Sequence, residues 1–132
     1  VPTHIKLPIR SSNVRTLPPA DAVSLRTLYS EHAFYIQVSM AEGFPNALSE
    51  AMCCGCVPIG SAVYSIPEII GTNGMILHSR NSEDFKVLLN QAKNIDTDVV
   101  GKAASDSIKA RFPIARRRKE LTELVKKLAL DQ

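Results

Sequence analysis

Two glutamates, Glu42 and Glu50, enclose the stretch of this sequence that carries the clearest chemistry. An ionised carboxylate only accepts hydrogen bonds, so both side chains suit the hydroxyl groups of a sugar. Between them, residues 46–49 are predicted to open a helix, and the first N–H groups of a helix lack intrahelical partners and favour a phosphate. Acids that bind hydroxyls on either side of amides that bind anions predict a site for a nucleotide sugar.

The spacing of the two acids also permits an ordinary structural interpretation. Glu42 could be a loop carboxylate that caps the following helix, and Glu50 could be a solvated position on that helix. Two glutamates at this separation are common by chance. The residues around them therefore decide between the two interpretations.

The flanking residues resemble a known family. Ser39-Met-Ala-Glu42-Gly-Phe-Pro-Asn46 leads to Glu50-Ala-Met52, and Val57-Pro-Ile59, Ile66-Pro-Glu-Ile69 and Asn73-Gly74 follow. This series resembles the retaining, nucleotide-sugar-dependent glycosyltransferases of group 1 (family 4), which have the two-domain GT-B fold. The resemblance extends from about residue 13 to about residue 112. It implies the C-terminal, donor-binding domain of such an enzyme, truncated at its N-terminal side.

The resemblance implies a role for each residue of the stretch. Glu42 would be the catalytic residue, hydrogen-bonded to the transferred sugar near the reacting carbon, and Glu50 would accept from the ribose hydroxyls. The other substrate-binding residues, which would contact the donor through the backbone, are Gly43, Phe44, Pro45, Asn46, Leu48 and Ser49. Neither a metal nor another cofactor is expected. The family's arginine and lysine pair has no match in residues 1–13, and Tyr64-Ser65 replaces its usual Gly-Gly, which leaves the role of Tyr64 open.

The implied activity is a hexosyltransferase-type reaction that moves a sugar, with retention, from a nucleoside diphosphate to a hydroxyl in polysaccharide or glycolipid assembly. The acceptor site would belong to the missing N-terminal domain, so this chain alone is predicted to be inactive. The alternative is a non-catalytic, doubly wound nucleotide-binding or scaffold module. No G-x-G-x-x-G follows a predicted strand, which argues against a dinucleotide-binding dehydrogenase.

Short apolar runs alternate with longer amphipathic segments, which predicts an α/β fold with a Rossmann-like parallel sheet and helices on both faces. Strands are predicted at residues 14–17, 34–38, 56–60 and 75–77, with an edge strand possible in the irregular lead-in of residues 1–12. Helices are predicted at residues 22–31, 46–54 and 66–70, and two more begin after the caps Ser82 and Asp98. A last helix is predicted at residues 115–130, within the C-terminal segment 114–132. Its apolar positions, which are expected to be buried, are Leu121, Leu124, Val125 and Leu128.

Ligands of open parallel sheets bind beyond the carboxyl ends of the strands. Three loops are expected to meet there: residues 39–46, 61–68 and 78–82. In the usual strand order, two strands would lie between residues 14–17 and residues 34–38. Because those two strands have no counterpart here, the edge of residues 34–38 needs another cover. Residues 14–17, residues 1–12 or a second copy of the chain are the candidates.

Composition fits one globular domain of 132 residues, 45% hydrophobic and 22% charged. No apolar run reaches the roughly 20 residues that cross a bilayer, so a cytoplasmic protein is expected. From Arg111 onward there are seven basic and three acidic residues, although the net charge is only +3. This run is either a solvated helix face or a patch that touches anionic lipid at the inner face of a membrane or holds a phosphorylated substrate. Nucleic acid is not an expected partner, because aromatic residues are few.

Three cysteines and two further motifs have ordinary interpretations. Cys53, Cys54 and Cys56 are too close for an unstrained disulfide framework and are expected to be small buried residues in a reducing compartment. Asp96-Thr-Asp98 matches the D-x-D of metal-dependent transferases, but it lies between two helices and is better interpreted as a cap. The three histidines lack metal-ligand spacing, although His78 follows a strand and could contact a donor.

Overall fold

The computed structural model describes residues 12–130. This part of the chain contains three strands: β1 (Phe34–Gln37), β2 (Val57–Ser61) and β3 (Met75–Leu77). The helices of the same described residues are α1 (Ala22–Ser30), α2 (Asn46–Cys53), α3 (Ile66–Ile70), α4 (Ser82–Ala92), α5 (Thr97–Arg111) and α6 (Ile114–Leu130).

The strands form one parallel sheet in the order β1-β2-β3. Phe34 lies opposite Val57, and Ile59 lies opposite Met75. Because the two crossovers advance in the same direction and such crossovers are right-handed, α2 and α3 lie on one face of the sheet. Helix α4 packs against β3. The predicted α/β class, a parallel Rossmann-like sheet flanked by helices, is confirmed.

The core lies between α2, α3, α5 and the sheet. All five residues of β2 are buried, as expected for the central strand of a covered parallel sheet. Tyr35 and Ile76 pack against the buried cluster from the two outer strands. Its members are Leu48 and Met52 of α2, Ile66, Ile69 and Ile70 of α3, and Ala104 and Ile108 of α5. This packing fixes the start of α2 over the carboxyl end of the sheet.

Several residues that were predicted to begin or end a helix are confirmed. Gly55 follows α2 with φ +93°, the left-handed conformation predicted for it. The Asp96 side chain accepts from the N–H of Val99 at 3.1 Å and caps α5, which supports the cap interpretation of the D-x-D match. The prediction that Asp98 is the cap is wrong by two residues, because Asp98 lies inside the first turn of α5. The prediction that Ser82 caps α4 is wrong by one residue. Asn81 is the cap, because its Oδ1 accepts from the N–H of Asp84 at 2.8 Å.

Two other predictions are wrong. Residues 14–17 form no strand, so they do not pair with β1, and the possible edge strand in residues 1–12 lies almost wholly outside the described residues. Helix α6 exists, but its apolar side chains are exposed. Leu121, Leu124, Val125 and Leu128 are 51% to 64% exposed, because α6 extends past Pro113 without a covering surface among residues 12–130.

Candidate functional site

The start of α2 lies at the carboxyl end of β1 and presents unused backbone donors. Pro45 precedes the helix without a side-chain capping bond. The N–H of Ser49 donates to the carbonyl of Pro45 at 3.3 Å, so that amide already belongs to the first helical turn. The amides before it, of Asn46, Ala47 and Leu48, are the first-turn donors that a helix leaves without intrahelical partners. This end of α2 can therefore receive an anion.

The carboxylate of Glu42 is half-buried and held by two neutral donors. Nε2 of Gln37 and Oγ of Ser39 both donate to its Oε1, each at 2.9 Å. Gln37 is the last residue of β1, and Ser39 begins the loop after it. The strand end and the loop thus fix the direction in which this acid points.

Glu50 is exposed on α2, yet it shares a neighbour with Glu42. Burial, the nearby Tyr29 and then the charges of Glu42 and Glu50 all raise the pKa of Tyr35. Both carboxylates therefore lie close enough to the Tyr35 phenol to influence it, Glu42 from the loop after β1 and Glu50 from α2.

The three loops predicted to meet do so. Oγ of Ser61, which is 3% exposed at the end of β2, accepts from the N–H of Ser39 at 3.0 Å and donates to the carbonyl of Ser39 at 2.9 Å. Oγ of Ser65 donates to the carbonyl of Gly43. Arg80, from the loop after β3, donates to the carbonyl of Met40 at 3.2 Å. The loop that carries Glu42 is therefore attached to both neighbouring loops.

Phe44 has a partner that sequence reasoning missed. Its ring packs edge-to-face against Phe112, with the ring centres 5.3 Å apart. Arg111 lies 5.1 Å from the centre of the Phe112 ring and donates to the carbonyls of Glu68, at 2.7 Å, and Ile69. The junction between α5 and α6 thereby touches the site. Because Phe44 and Phe112 lie far apart in the sequence, no local pattern predicts this contact.

Tyr64, His78 and the three cysteines differ in their exposure. Tyr64 is exposed in a left-handed turn with φ 47°, just before Ser65. His78 is exposed after β3. Of the three cysteines, only Cys56 is buried, so the expectation that all three are buried is wrong. Cys53, the last residue of α2, is exposed.

Two surface hollows of the described chain lie elsewhere, one along α6 and one at the amino ends of β1 and β2 beside His32. Neither Glu42 nor Glu50 lines these two hollows. Among residues 12–130, no cluster of three or more histidine, cysteine or acidic side chains is arranged to hold a metal ion. Nor does any helix in that part of the chain have the length and apolar content to cross a membrane.

Comparison with known proteins agrees with this geometry. The fold matches sucrose-phosphate synthase from Thermosynechococcus elongatus, a GT-B glycosyltransferase, with a TM-score of 0.77 and 20% identity over 88% of this chain and 30% of that one. A sequence model of the family described as Glycosyl transferases group 1 matches residues 4–94. The chain belongs to the group 1 glycosyl transferases.

Curated relatives are similar over a shorter stretch. They include the serotype-specific mannosyltransferase WbdA of Escherichia coli, which is 31% identical over 68 residues, or 52% of this chain. This chain spans 8% of the length of that relative. The similarity therefore concerns one portion of a much longer protein.

Proposed function

We propose that this chain binds the diphosphate sugar donor of a retaining glycosyltransferase at the start of α2. The observation that carries the proposal is the position of Glu42, held by Gln37 and Ser39 in the loop that leads into the uncapped first turn of α2. Amides with partial positive charge suit the diphosphate, and the flanking carboxylates suit sugar and ribose hydroxyls. Membership of the group 1 family supports the same ligand class.

In the proposed reaction, Glu42 accepts a hydrogen bond from the transferred sugar close to the reacting carbon. The amides of Asn46 and Leu48 stabilise negative charge that develops on the leaving diphosphate. Glu50 accepts from the ribose hydroxyls. The bond from the sugar to the diphosphate breaks, a bond to an acceptor hydroxyl forms on the same face, and the proton of that hydroxyl is released.

Binding titrations test this proposal on the chain itself. Isothermal calorimetry with UDP, GDP, UDP-glucose and GDP-mannose is expected to show saturable binding of at least one nucleotide and its sugar. Thermal stability should rise with the concentration of that ligand. Glu50→Gln should weaken binding of the nucleotide about tenfold, because a charged acceptor of the ribose hydroxyls is lost.

Glu123→Gln is the matched control, since Glu123 is an exposed acid on α6 and away from the loop. Full affinity in Glu50→Gln, or no binding by the wild-type chain, would contradict the proposed site. Binding of free nucleotides without any preference for their sugars would favour the non-catalytic module.

We also propose that the chain is part of a hexosyltransferase, in line with the mannosyltransferase name of the relative, and that this enzyme builds polysaccharide or glycolipid in the cytoplasm. The acceptor would bind a separate N-terminal domain of the same enzyme. Transfer activity is therefore expected only with that domain, and turnover by this chain alone would contradict this assignment. Helix α6 supplies a basic, apolar surface for anionic lipid at the membrane.

A further inference from the structure

The carboxylate of Glu42 presents its two oxygens unequally. Oε1 accepts two hydrogen bonds, from Gln37 and from Ser39. Within the described part of the chain, Oε2 receives no hydrogen bond. One oxygen is therefore held by the protein while the other is left for a further donor, such as a hydroxyl group.

The amide of Gln37 is itself oriented. The hydroxyl of Tyr35 donates to its Oε1 at 3.3 Å, which turns Nε2 toward Glu42. Tyr35 and Gln37 are two residues apart on β1, so their side chains share one face of the strand. The ring of Tyr35 is half-buried and packs edge-to-face against Tyr29, with the ring centres 5.7 Å apart. Two hydrogen bonds thus connect three side chains in series, from Tyr35 through Gln37 to Glu42.

The second donor is fixed through the backbone. Oγ of Ser61 accepts from the N–H of Ser39 and donates to its carbonyl, so the main chain at residue 39 is attached to the end of β2. Because Ser61 is buried, that attachment is shielded from water. Because the backbone of Ser39 is fixed in this way, its hydroxyl donates to Oε1 of Glu42 from a defined position.

We infer that Gln37 and Ser39 are positioning residues, which hold Oε1 of Glu42 so that Oε2 faces the hexose of the donor. This inference rests on the proposed function, in which Glu42 contacts the sugar rather than the diphosphate. Losing either donor would let the carboxylate rotate or turn to water, and the sugar contact would weaken. The diphosphate contact, made by the amides of α2, would be unaffected.

The test compares two ligands on the same variants by calorimetry. The wild-type chain should bind the preferred nucleotide sugar of the panel, UDP-glucose or GDP-mannose, more tightly than the matching nucleoside diphosphate. Gln37→Met keeps the size of the side chain and removes its donor, and Ser39→Ala removes the hydroxyl. Each should weaken binding of the nucleotide sugar about tenfold, the loss expected for a hydrogen bond to a charged group, with the affinity for the diphosphate unchanged.

Ser39→Thr is the conservative control, because it keeps the hydroxyl and should retain the preference for the sugar. A merely structural role would lower both affinities together and reduce the melting temperature, and that result would overturn the inference. Unchanged affinity for the nucleotide sugar in both variants would overturn it as well. If the wild-type chain binds neither ligand, the proposed function fails, and the positioning role fails with it.

Discussion

The pKa of the Tyr35 phenol depends on both predicted acids, Glu42 and Glu50. Burial raises its pKa above the ordinary value of 10.0, and the charges of Tyr29, Glu42 and Glu50 add to the shift. The neutral phenol is therefore favoured in the folded chain. Because the unfolded chain loses this proton first, the stabilisation is complete below about pH 10 and is lost as the pH rises through the higher pKa of the folded state.

This arrangement predicts a titration result. Ultraviolet absorbance against alkaline pH, compared with Tyr35→Phe, should show Tyr35 ionising above pH 10.0 in the folded chain. Glu42→Gln and Glu50→Gln should each lower that pKa, since each removes a nearby negative charge. Glu123→Gln should leave it where it is. If one of these two substitutions leaves the pKa of Tyr35 unchanged, the acid that it replaces does not lie near the phenol.

At the scale of elements, α5 supports the site by packing against the end of α2. Oγ of Ser105 donates to the carbonyl of Cys53 at 2.9 Å. At Gly101, an added Cβ would lie 2.1 Å from the carbonyl oxygen of Gly55, which no side chain can tolerate. This close approach of two backbones needs glycine on α5, and it sets the distance between α5 and the turn before β2.

Gly101→Ala should therefore destabilise the fold, although alanine is ordinarily the better helix former. We expect a loss of about 1–3 kcal/mol in the free energy of unfolding, the usual range for overpacking, measured by urea denaturation. Gly43→Ala is the control, because an added Cβ at Gly43 meets nothing within 4 Å. Equal stability of the Gly101→Ala variant and the wild type would contradict the close packing of α5 on Gly55.

The elements that sequence reasoning placed correctly are those with local signals. The apolar run of β1 and the glycine after α2 each act within a few residues, and the structure confirms them. The cap of α4 was misplaced because Asn81 and Ser82 are both good caps, and only geometry shows which one reaches the N–H of Asp84. The contact between Phe44 and Phe112 depends on tertiary packing, which leaves no trace in the pattern.

Periodicity also led to a wrong prediction for α6, the burial of its apolar face. The spacing of Leu121, Leu124, Val125 and Leu128 shows that the helix has an apolar face, and this is correct. It does not show what covers that face. Burial was inferred from amphipathicity alone, whereas in the structure the stripe faces outward. The short apolar run at residues 14–17 is likewise not a strand, and among the described residues β1 pairs only with β2.

At the scale of the whole molecule, two surfaces remain uncovered within residues 12–130. One is the outer edge of β1, where Ile36 is exposed and no described strand pairs. An open edge of this kind invites pairing with another strand. The other surface is the apolar stripe of α6. Both surfaces offer groups to a partner, the first through backbone N–H and C=O groups and the second through apolar side chains.

Helix α6 has the features of a helix that lies on a membrane surface. Its two acids, Glu120 and Glu123, are paired with Arg116 at 2.7 Å and Lys119 at 3.9 Å. Arg117 and Arg118 precede Leu124 and Val125 by seven residues each, so they lie on the apolar face two turns earlier. An exposed apolar stripe with basic residues beside it is typical of helices that bind anionic lipid.

Vesicle sedimentation tests this property on the whole chain. Binding is expected with vesicles that contain phosphatidylglycerol, and it should weaken as salt is raised or when phosphatidylcholine is the only lipid. Leu124→Asp should abolish binding without lowering the melting temperature, because Leu124 is exposed. Glu123→Ala, on the polar face, should bind as well as the wild type. If Leu124→Asp still sediments with anionic vesicles, α6 does not insert its apolar stripe, and a protein surface becomes the better occupant for it.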